Sequence, residues 1–377
     1  MKRYFDFILK SKRSYSRIEK YSVVVYDQAS EVDLENSLRF INYFVLCVRG
    51  EVVHLNVRTV ALTVFYLFKT HKVALAYVLA LLCQTSPVVV ITMIDNGLMF
   101  HEASGHFLHA RFVAVQNGIR FPGTPTHRLP IGADFQSELL CIGQNDVVGY
   151  EKDSIKFHKI VPVGSIRNAN YISNVEIQLD RPILKQFDIC LISMFNLSTP
   201  ATSRAESYLQ LIKYVAQYLR EHPQLRLVIA ARHQVDKYSA EYLVEAKYYQ
   251  DVFSGDDHLV SLKDDHYSTY RLIDASEVNI SFGSTSSIEA ISRGRRTLVC
   301  QPLVIEDMLL DSQTEWYLSG VSYSNFSKLL GRYLAISDEE FSMIYKSDIE
   351  YFSGPKDSHY ANNYLRGIIE DATRKHS

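Results

Sequence analysis

The chain has 377 residues, 47% hydrophobic and 22% charged, with a formal net charge of −2. This composition excludes a disordered chain, and the near-neutral balance excludes a global basic field for gripping nucleic acid. At about 150 residues per domain the length implies two domains, or three.

The N-terminus, MKRYFDFILKSKRSYSRIEKY, is basic but carries no long apolar stretch and no cleavage site, so it is not a signal peptide. Residues 21–26, YSVVVY, form the first expected strand. Residues 36–46 and 59–68 are apolar and helix-compatible, and 74–83, ALAYVLALLC, have the composition of a buried helix. The segment from Val60 to Cys83 is the most apolar in the chain, but Lys69, His71 and Lys72 interrupt it. It therefore lacks the ~20 uninterrupted apolar residues of a membrane span. The expected location is the cytoplasm, with weak peripheral contact between the basic N-terminus and an anionic inner membrane.

After Pro87 the β-branched run VVVIT leads to Met93, as in a strand buried on both faces of a parallel sheet. Residues 111–115, 139–142 and 158–163 repeat that pattern. From 187 the alternation starts again: strands at FDICLISMF, 225–231, 258–262, 278–282 and 296–300, with helices from Pro200 to Arg220, Tyr238 to Gln250, 268–275 and Ser286 to Arg293. Gly294 closes the last of these, and 338–374 follow as helices with polar faces. The expected fold is α/β, with two Rossmann-like, doubly wound domains, 1–185 and 186–377, joined near Leu179 to Gln186. Five cysteines, Cys47, Cys83, Cys141, Cys190 and Cys300, are scattered and form no CxxC pair, which points to buried thiols in a reducing compartment and away from zinc.

The sharpest local signal is VNISFGSTSSIEAISRG, where a strand ends in the small-residue loop Gly283-Ser284-Thr285-Ser286-Ser287 and a helix begins. Backbone N–H groups at a helix N-terminus favour an anion such as a phosphate, and glycine lets a ligand approach closely. Glu289 stands one turn in, placed to accept from ribose or sugar hydroxyls. The plain alternative is that Ser286 or Ser287 caps the helix and Glu289 completes a capping box. Arg232 and His233, at the end of LRLVIAARHQVD, come to the same sheet edge, as does the Ser/Thr loop 193–203. Together these strand ends make a nucleotide-phosphate site.

In the first half VVVITMIDNGLMFHEASGHF delivers Asp95 and Asn96 to a strand end, with His101 and Glu102 behind them. Asp95 is a candidate general base, nucleophile or acceptor-binding carboxylate, and His101 and Glu102 candidates for orienting substrate. Asp95-Asn96-Gly97 is equally a turn sequence. Later strand ends offer Gln116, Asn117 and Arg120, then Asp134 and Glu138, then Ser165 and Arg167. No HExxH or Asp-X-Asp motif occurs, so no metal is expected, and leaving-group charge falls to the helix N-terminus with Arg232 or His233. No P-loop motif occurs either.

ITMIDN, RFVAVQNGIR, VPVGSIRN and DASEVNISFGSTSSIEAISRG resemble the bacterial surface carbohydrate biosynthesis proteins, which look like relatives of capsule and lipopolysaccharide Kdo transferases. Residues Asp274 to Gly294 also resemble the donor half of GT-B enzymes, UDP-N-acetylglucosamine 2-epimerases among them. The resemblance covers Val88 to Gly294; residues 1–85 carry none of its motifs. It implies a GT-B glycosyltransferase with two domains facing a cleft and a C-terminal helix that crosses back. Arg232, His233, Gly283, Ser284, Thr285, Ser286, Ser287 and Glu289 would bind a nucleotide-sugar donor, of CMP-Kdo-like type. Asp95, Glu102 and Asp134 would be catalytic, and Asn96, Gln116, Asn117, Arg120, Ser165 and Arg167 would line the acceptor side for a glycan or lipid-linked glycan. A 2-epimerase-like enzyme, a glycerophosphate-type polymer transferase and a silent nucleotide- or glycan-binding partner in an assembly complex are the competing readings.

Overall fold

The computed structural model describes residues 11–48, 52–120, 129–178, 184–195, 203–234, 239–253, 258–263, 265–308, 314–355 and 359–374. Among the described residues, fourteen strands are arranged in two six-stranded parallel sheets and a small ribbon. The ribbon pairs β1 (Lys12–Ser14) with β4 (Val52–His54). The first sheet contains β2 (Val23–Tyr26), β3 (Tyr43–Leu46), β5 (Val89–Thr92), β6 (Arg111–Val115), β7 (Asp134–Cys141) and β8 (Lys156–Pro162), in the order β3-β2-β5-β6-β7-β8. The second contains β9 (Phe187–Ile192), β10 (Leu227–Gln234), β11 (His258–Lys263), β12 (Ser276–Ser281), β13 (Thr297–Gln301) and β14 (Tyr317–Ser319), in the order β11-β10-β9-β12-β13-β14.

The β-branched runs form central strands because both sheet faces are covered, as all-parallel sheets require. In β2, Val24 and Tyr26 face a cluster with Leu75, Leu79 and Leu82 of the helix Val73–Thr85, while Val23 and Val25 face Leu34, Leu38, Ile166, Leu365 and Ile369. In the second sheet Ile189, Leu191, Leu227 and Ile229 pack on Leu211, Ile212 and Val215 of the helix Ser203–Glu221, and Cys190, Ile192 and Val228 pack on Ile273 and Ala290. The expected α/β fold with two doubly wound sheets is therefore present. The last described helix, Tyr360–Arg374, has Ala361, Leu365, Ile368 and Ile369 buried on the first sheet, so it packs back on the N-terminal half. Among the described residues no disulfide forms, and Cys141, Cys190 and Cys300 are buried.

Two local expectations change. The segment 36–46, read as helix-compatible, divides into the end of the helix Glu31–Leu38 and the strand β3. Its second part, YFVL, is aromatic and β-branched, and pairing with β2 along Val23 to Tyr26 decides in favour of strand. The strand β14 and the helix Tyr323–Ala335 go beyond the elements expected from sequence. The expected linker at Leu179 to Gln186 lies partly outside the described residues, which resume at 184.

Candidate functional site

The second sheet has the strand sequence 3-2-1-4-5-6 counted from β9, so its direction reverses between β9 and β12. Ligands of open α/β sheets bind beyond the carboxyl ends of the strands at that reversal. There β12 ends at Ser281, and Gly283, at φ 139°, turns the chain into the helix Thr285–Ser292. Ser281 Oγ accepts from the N–H of Gly283 (3.1 Å) and of Ser284 (3.0 Å). Ser284 is the N-cap, its Oγ accepting from Ser286 N at 3.3 Å, while Ser287 is buried and its hydroxyl bonds the Ser284 carbonyl oxygen. The cap therefore falls on Ser284, ahead of the Ser286 or Ser287 of the plain alternative. The helix presents Ser284, Thr285 and Ser286 at its partly exposed start.

On the same edge, with β9 between them, β10 carries Arg232 and His233 near its end, with a register irregularity against β11 between Ala230 and Gln234. Glu245, on the helix Ser239–Val252, is fully buried below them. It accepts from Arg232 N (2.9 Å), His233 N (3.1 Å) and His233 Nδ1 (2.8 Å), and also bonds Ser193 Oγ. Ser193 in turn meets Tyr249 OH at 2.8 Å, and Met194 N donates to Tyr208 OH at 3.0 Å. Burial raises both phenols and keeps them protonated. A carboxylate on Nδ1 orients the imidazole and keeps a proton on that nitrogen. The exposed Arg232 reaches the Phe195 carbonyl oxygen at 3.2 Å. Most of the Ser/Thr loop 193–203 lies outside the described residues.

The first-half candidates fall in several places. Asp95 has no exposed surface. Arg120 engages both its oxygens, at 2.9 Å from Nε and more closely from a terminal nitrogen, and Tyr150 OH donates to it at 3.3 Å. Held in a buried ion pair, the Asp95 carboxylate has no open face in this structure. Asp134 opens β7, at the end of the sheet opposite the strand ends that carry Asp95 and Gln116, so it stands away from any cleft there. Glu102 pairs with Lys72 at 2.6 Å on the helix Leu98–His106. His101 is buried between Ser137 Oγ (2.7 Å) and the Asp95 carbonyl oxygen (2.6 Å), and burial lowers its pKa. Glu138 pairs with Arg111 in the middle of the sheet. Gln116 is buried, bonding Gly118 O, Asp146 and Ile142 N. Asn117 accepts from Arg120 at 3.0 Å through its side chain and from Arg167 at 3.0 Å through its carbonyl. Asn96 sits between Asp95 and the start of the helix at Leu98.

The two carboxyl edges meet. Ile119 N donates to Thr285 Oγ1 at 3.0 Å, and a Cβ on Gly118 would lie 2.9 Å from that hydroxyl, so only glycine permits this approach. Ser165 Oγ donates to Glu289 at 2.5 Å, and Tyr270 OH donates to the other oxygen at 2.8 Å. Glu289 is 2% exposed, so its carboxylate joins the halves. Asn168 bonds Ser292 and Arg293, and Tyr171 OH donates to Asp274 at 2.8 Å. A cavity of about 420 Å³ opens beside these contacts, lined in part by Ser165, Asn168, Asp274, Arg293, Arg295 and Lys346.

Asp33, on the first turn of the helix after β2, accepts from Arg167 (2.8 Å) and from His266 of the second half (2.9 Å). Burial pushes the Asp33 carboxyl up, but the hydrogen bonds from His266 and Arg167 and the Arg167 charge outweigh it, holding the group below its usual value. The sign follows from linkage: a depressed carboxylate contributes stability above the ordinary value of about 3.9 and loses it as pH falls through the lowered one. Asp33→Asn should therefore flatten the acid limb of the stability profile and loosen the contact at neutral pH. Acid-unfolding curves with solution scattering check this; an unchanged acid limb and unchanged radius of gyration would remove Asp33 from the clasp.

Asp33, Glu245, His266 and Arg293 were not singled out from sequence. Asp33 lies in a segment without a motif, and Glu245 is one acidic residue of a helix that also carries Glu241 and Asp251. Only the third dimension connects them to the cleft.

No protein-family model matches the chain, and no curated protein matches it significantly. Solved structures do share its fold. A putative UDP-N-acetylglucosamine 2-epimerase from Listeria monocytogenes is 12% identical with a TM-score of 0.59, covering 95% of this chain and 98% of its own. The Methanocaldococcus jannaschii UDP-GlcNAc 2-epimerase, in complex with UDP-GlcNAc and UDP, is 10% identical with a TM-score of 0.55, covering 94% and 99%. A glycosyltransferase from Rickettsia africae is 9% identical with a TM-score of 0.51, covering 95% and 99%. The likeness extends through both halves, and the chain has the GT-B arrangement of two Rossmann-like domains facing a cleft.

Proposed function

We propose that the protein is an enzyme that acts on a nucleotide-sugar at the carboxyl edge of its second sheet, and that it transfers the sugar to a bacterial surface polysaccharide or its lipid-linked precursor. The observation that carries this reading is the Ser284-capped helix start at the reversal of strand order, with His233 on the same carboxyl edge, on the far side of β9. A diphosphate placed there meets partly exposed hydroxyls and the positive end of the helix. In transfer, the bond from the anomeric carbon to the phosphate oxygen breaks as the bond to the acceptor oxygen forms, and the acceptor hydroxyl releases its proton to water. The leaving group takes the electron pair, and Arg232, His233 and the helix start would stabilise it without a metal. Ribose binding at Glu289 would require exchange of its Ser165 bond, so donor entry is coupled to the fit between the halves. A CMP-linked acidic sugar of Kdo type is one donor that suits this site. A 2-epimerase-like activity is the second reading, favoured by the fold match to such enzymes over nearly the whole chain.

Thermal unfolding against CMP, UDP, CDP, GDP and ADP tests the donor site. A ligand that binds only the folded state adds about 2.7 kcal/mol at a hundred times its dissociation constant. One nucleotide should stabilise the protein. Ser284→Ala should lower stability by about 1 kcal/mol through the lost cap and remove most of that nucleotide's effect. A full nucleotide shift in the variant would move the phosphate site elsewhere. Free nucleotide released only with acceptor then marks a transferase, and sugar interconversion marks an epimerase.

A further inference from the structure

The helix Val57–Thr70 turns its apolar side outward. Its exposed positions are Val57, Arg58, Val60, Ala61, Val64, Phe65, Phe68 and Lys69, a single stripe at helical spacing. Phe68 is 78% exposed and Val57 87%. The inward side combines threonines with Tyr66, which packs on the core: Thr59 is buried and accepts from Gln84 Nε2 at 2.8 Å, and Thr63 and Thr70 bond back to the helix's own carbonyls. Surface helices normally have the reverse arrangement, and an exposed apolar stripe marks a surface for interaction.

Charge identifies the partner. From Val52 to Ile94 the sequence contains no Asp or Glu. Arg58 begins the stripe and Lys69 ends it, the latter with its ammonium 4.5 Å above the Phe65 ring. The ribbon supplies more cations at the helix N-terminus: Leu55 N donates to Ser14 O at 2.7 Å and Asn56 Nδ2 to Ser16 O at 3.0 Å, and Lys12, Arg13, Tyr15 and Arg17 are exposed. Antiparallel pairing with a second copy would set Arg58 opposite Lys69 with no carboxylate between them, which opposes self-association. At 14 residues the helix is about 21 Å long, too short for a hydrocarbon core of about 30 Å. An apolar stripe edged by cations suits the plane of a membrane interface.

We infer that this face docks the protein on an anionic lipid bilayer, with Val57, Val60, Val64, Phe65 and Phe68 entering the acyl boundary and Arg58, Lys69 and the ribbon cations meeting headgroups. The inference is independent of the reaction catalysed. Flotation of the full chain with phosphatidylcholine vesicles, with and without phosphatidylglycerol, tests it. Binding should require phosphatidylglycerol and weaken with salt. Val64→Asp and Phe68→Asp should each reduce it about tenfold, and Arg58→Gln and Lys69→Gln about fivefold each. Met343→Asp, 72% exposed in the other half, should leave it unchanged. The substituted residues are exposed, so the variants should keep the parent melting temperature. Binding unaffected by Val64→Asp and Phe68→Asp overturns the assignment. So does a light-scattering dimer that either variant dissociates, and so does vesicle binding that emerges only when residues 1–10 are removed.

Discussion

Arg120→Ala should destabilise the N-terminal half by about 3–5 kcal/mol, the largest loss expected from any single change near the cleft. Asp95 has no exposed surface and Arg120 retains 8%. Burial works against the Arg120 charge, and Asp95 outweighs it, so the guanidinium is held protonated. Removing one partner leaves the other charged and out of water, which costs more than the pair contributes. Arg120 also bonds Asn117, and Asn117 accepts from Arg167, so the change spreads to the loop that carries Gly118 against Thr285. Replacing both partners with apolar residues, as in Asp95→Leu with Arg120→Met, should cost less than the sum of the two single changes. Thermal unfolding of the four proteins gives the coupling. A well-folded Asp95→Asn variant with parental stability but little turnover would instead restore Asp95 to catalysis.

Asp95 also illustrates how far sequence carries. The run VVVIT fixed a buried strand, and the residues after it had to lie at a carboxyl edge, which is where β5 delivers them. What the pattern could not convey was that Arg120, from the neighbouring strand end, turns back onto the carboxylate. The same holds for Asp134, whose strand begins earlier than the apolar residues 139–142 suggested, so that Asp134 opens it. The Gly283–Ser287 loop was legible because cap, glycine and helix start are contiguous in the chain. Glu289 was placed correctly on its helix, but its partners Ser165 and Tyr270 come from distant segments. The outward apolar stripe was hidden for another reason: the composition of 59–68 identifies a helix, while its orientation depends on what the neighbouring helix Val73–Thr85 buries.

Glu245→Gln should reduce turnover of the nucleotide-sugar by at least about 100-fold, within the range attributed to a positioned acid or base, while donor binding changes little. Glu245 does not face the ligand and acts as a positioning residue for His233. Its two oxygens receive two backbone N–H groups, Nδ1 of His233 and the Ser193 hydroxyl, which secures the irregular end of β10. A glutamine keeps one oxygen but points an amide N–H₂ at donors, so the imidazole loses its fixed tautomer and its orientation together. Stability will fall as well, because the Glu245 carboxylate that satisfies these donors is fully buried, so turnover is to be compared at a temperature where both proteins remain folded. Ring ¹⁵N shifts of His233 provide a readout independent of activity: Nδ1 protonated throughout in the parent, a mixture in the variant. A purely structural Glu245 would lower stability yet leave kcat, KM and the tautomer ratio of the folded fraction as they were. Parental kcat in folded Glu245→Gln would thus exclude His233 from proton transfer and leave leaving-group stabilisation to Arg232 and the helix start alone.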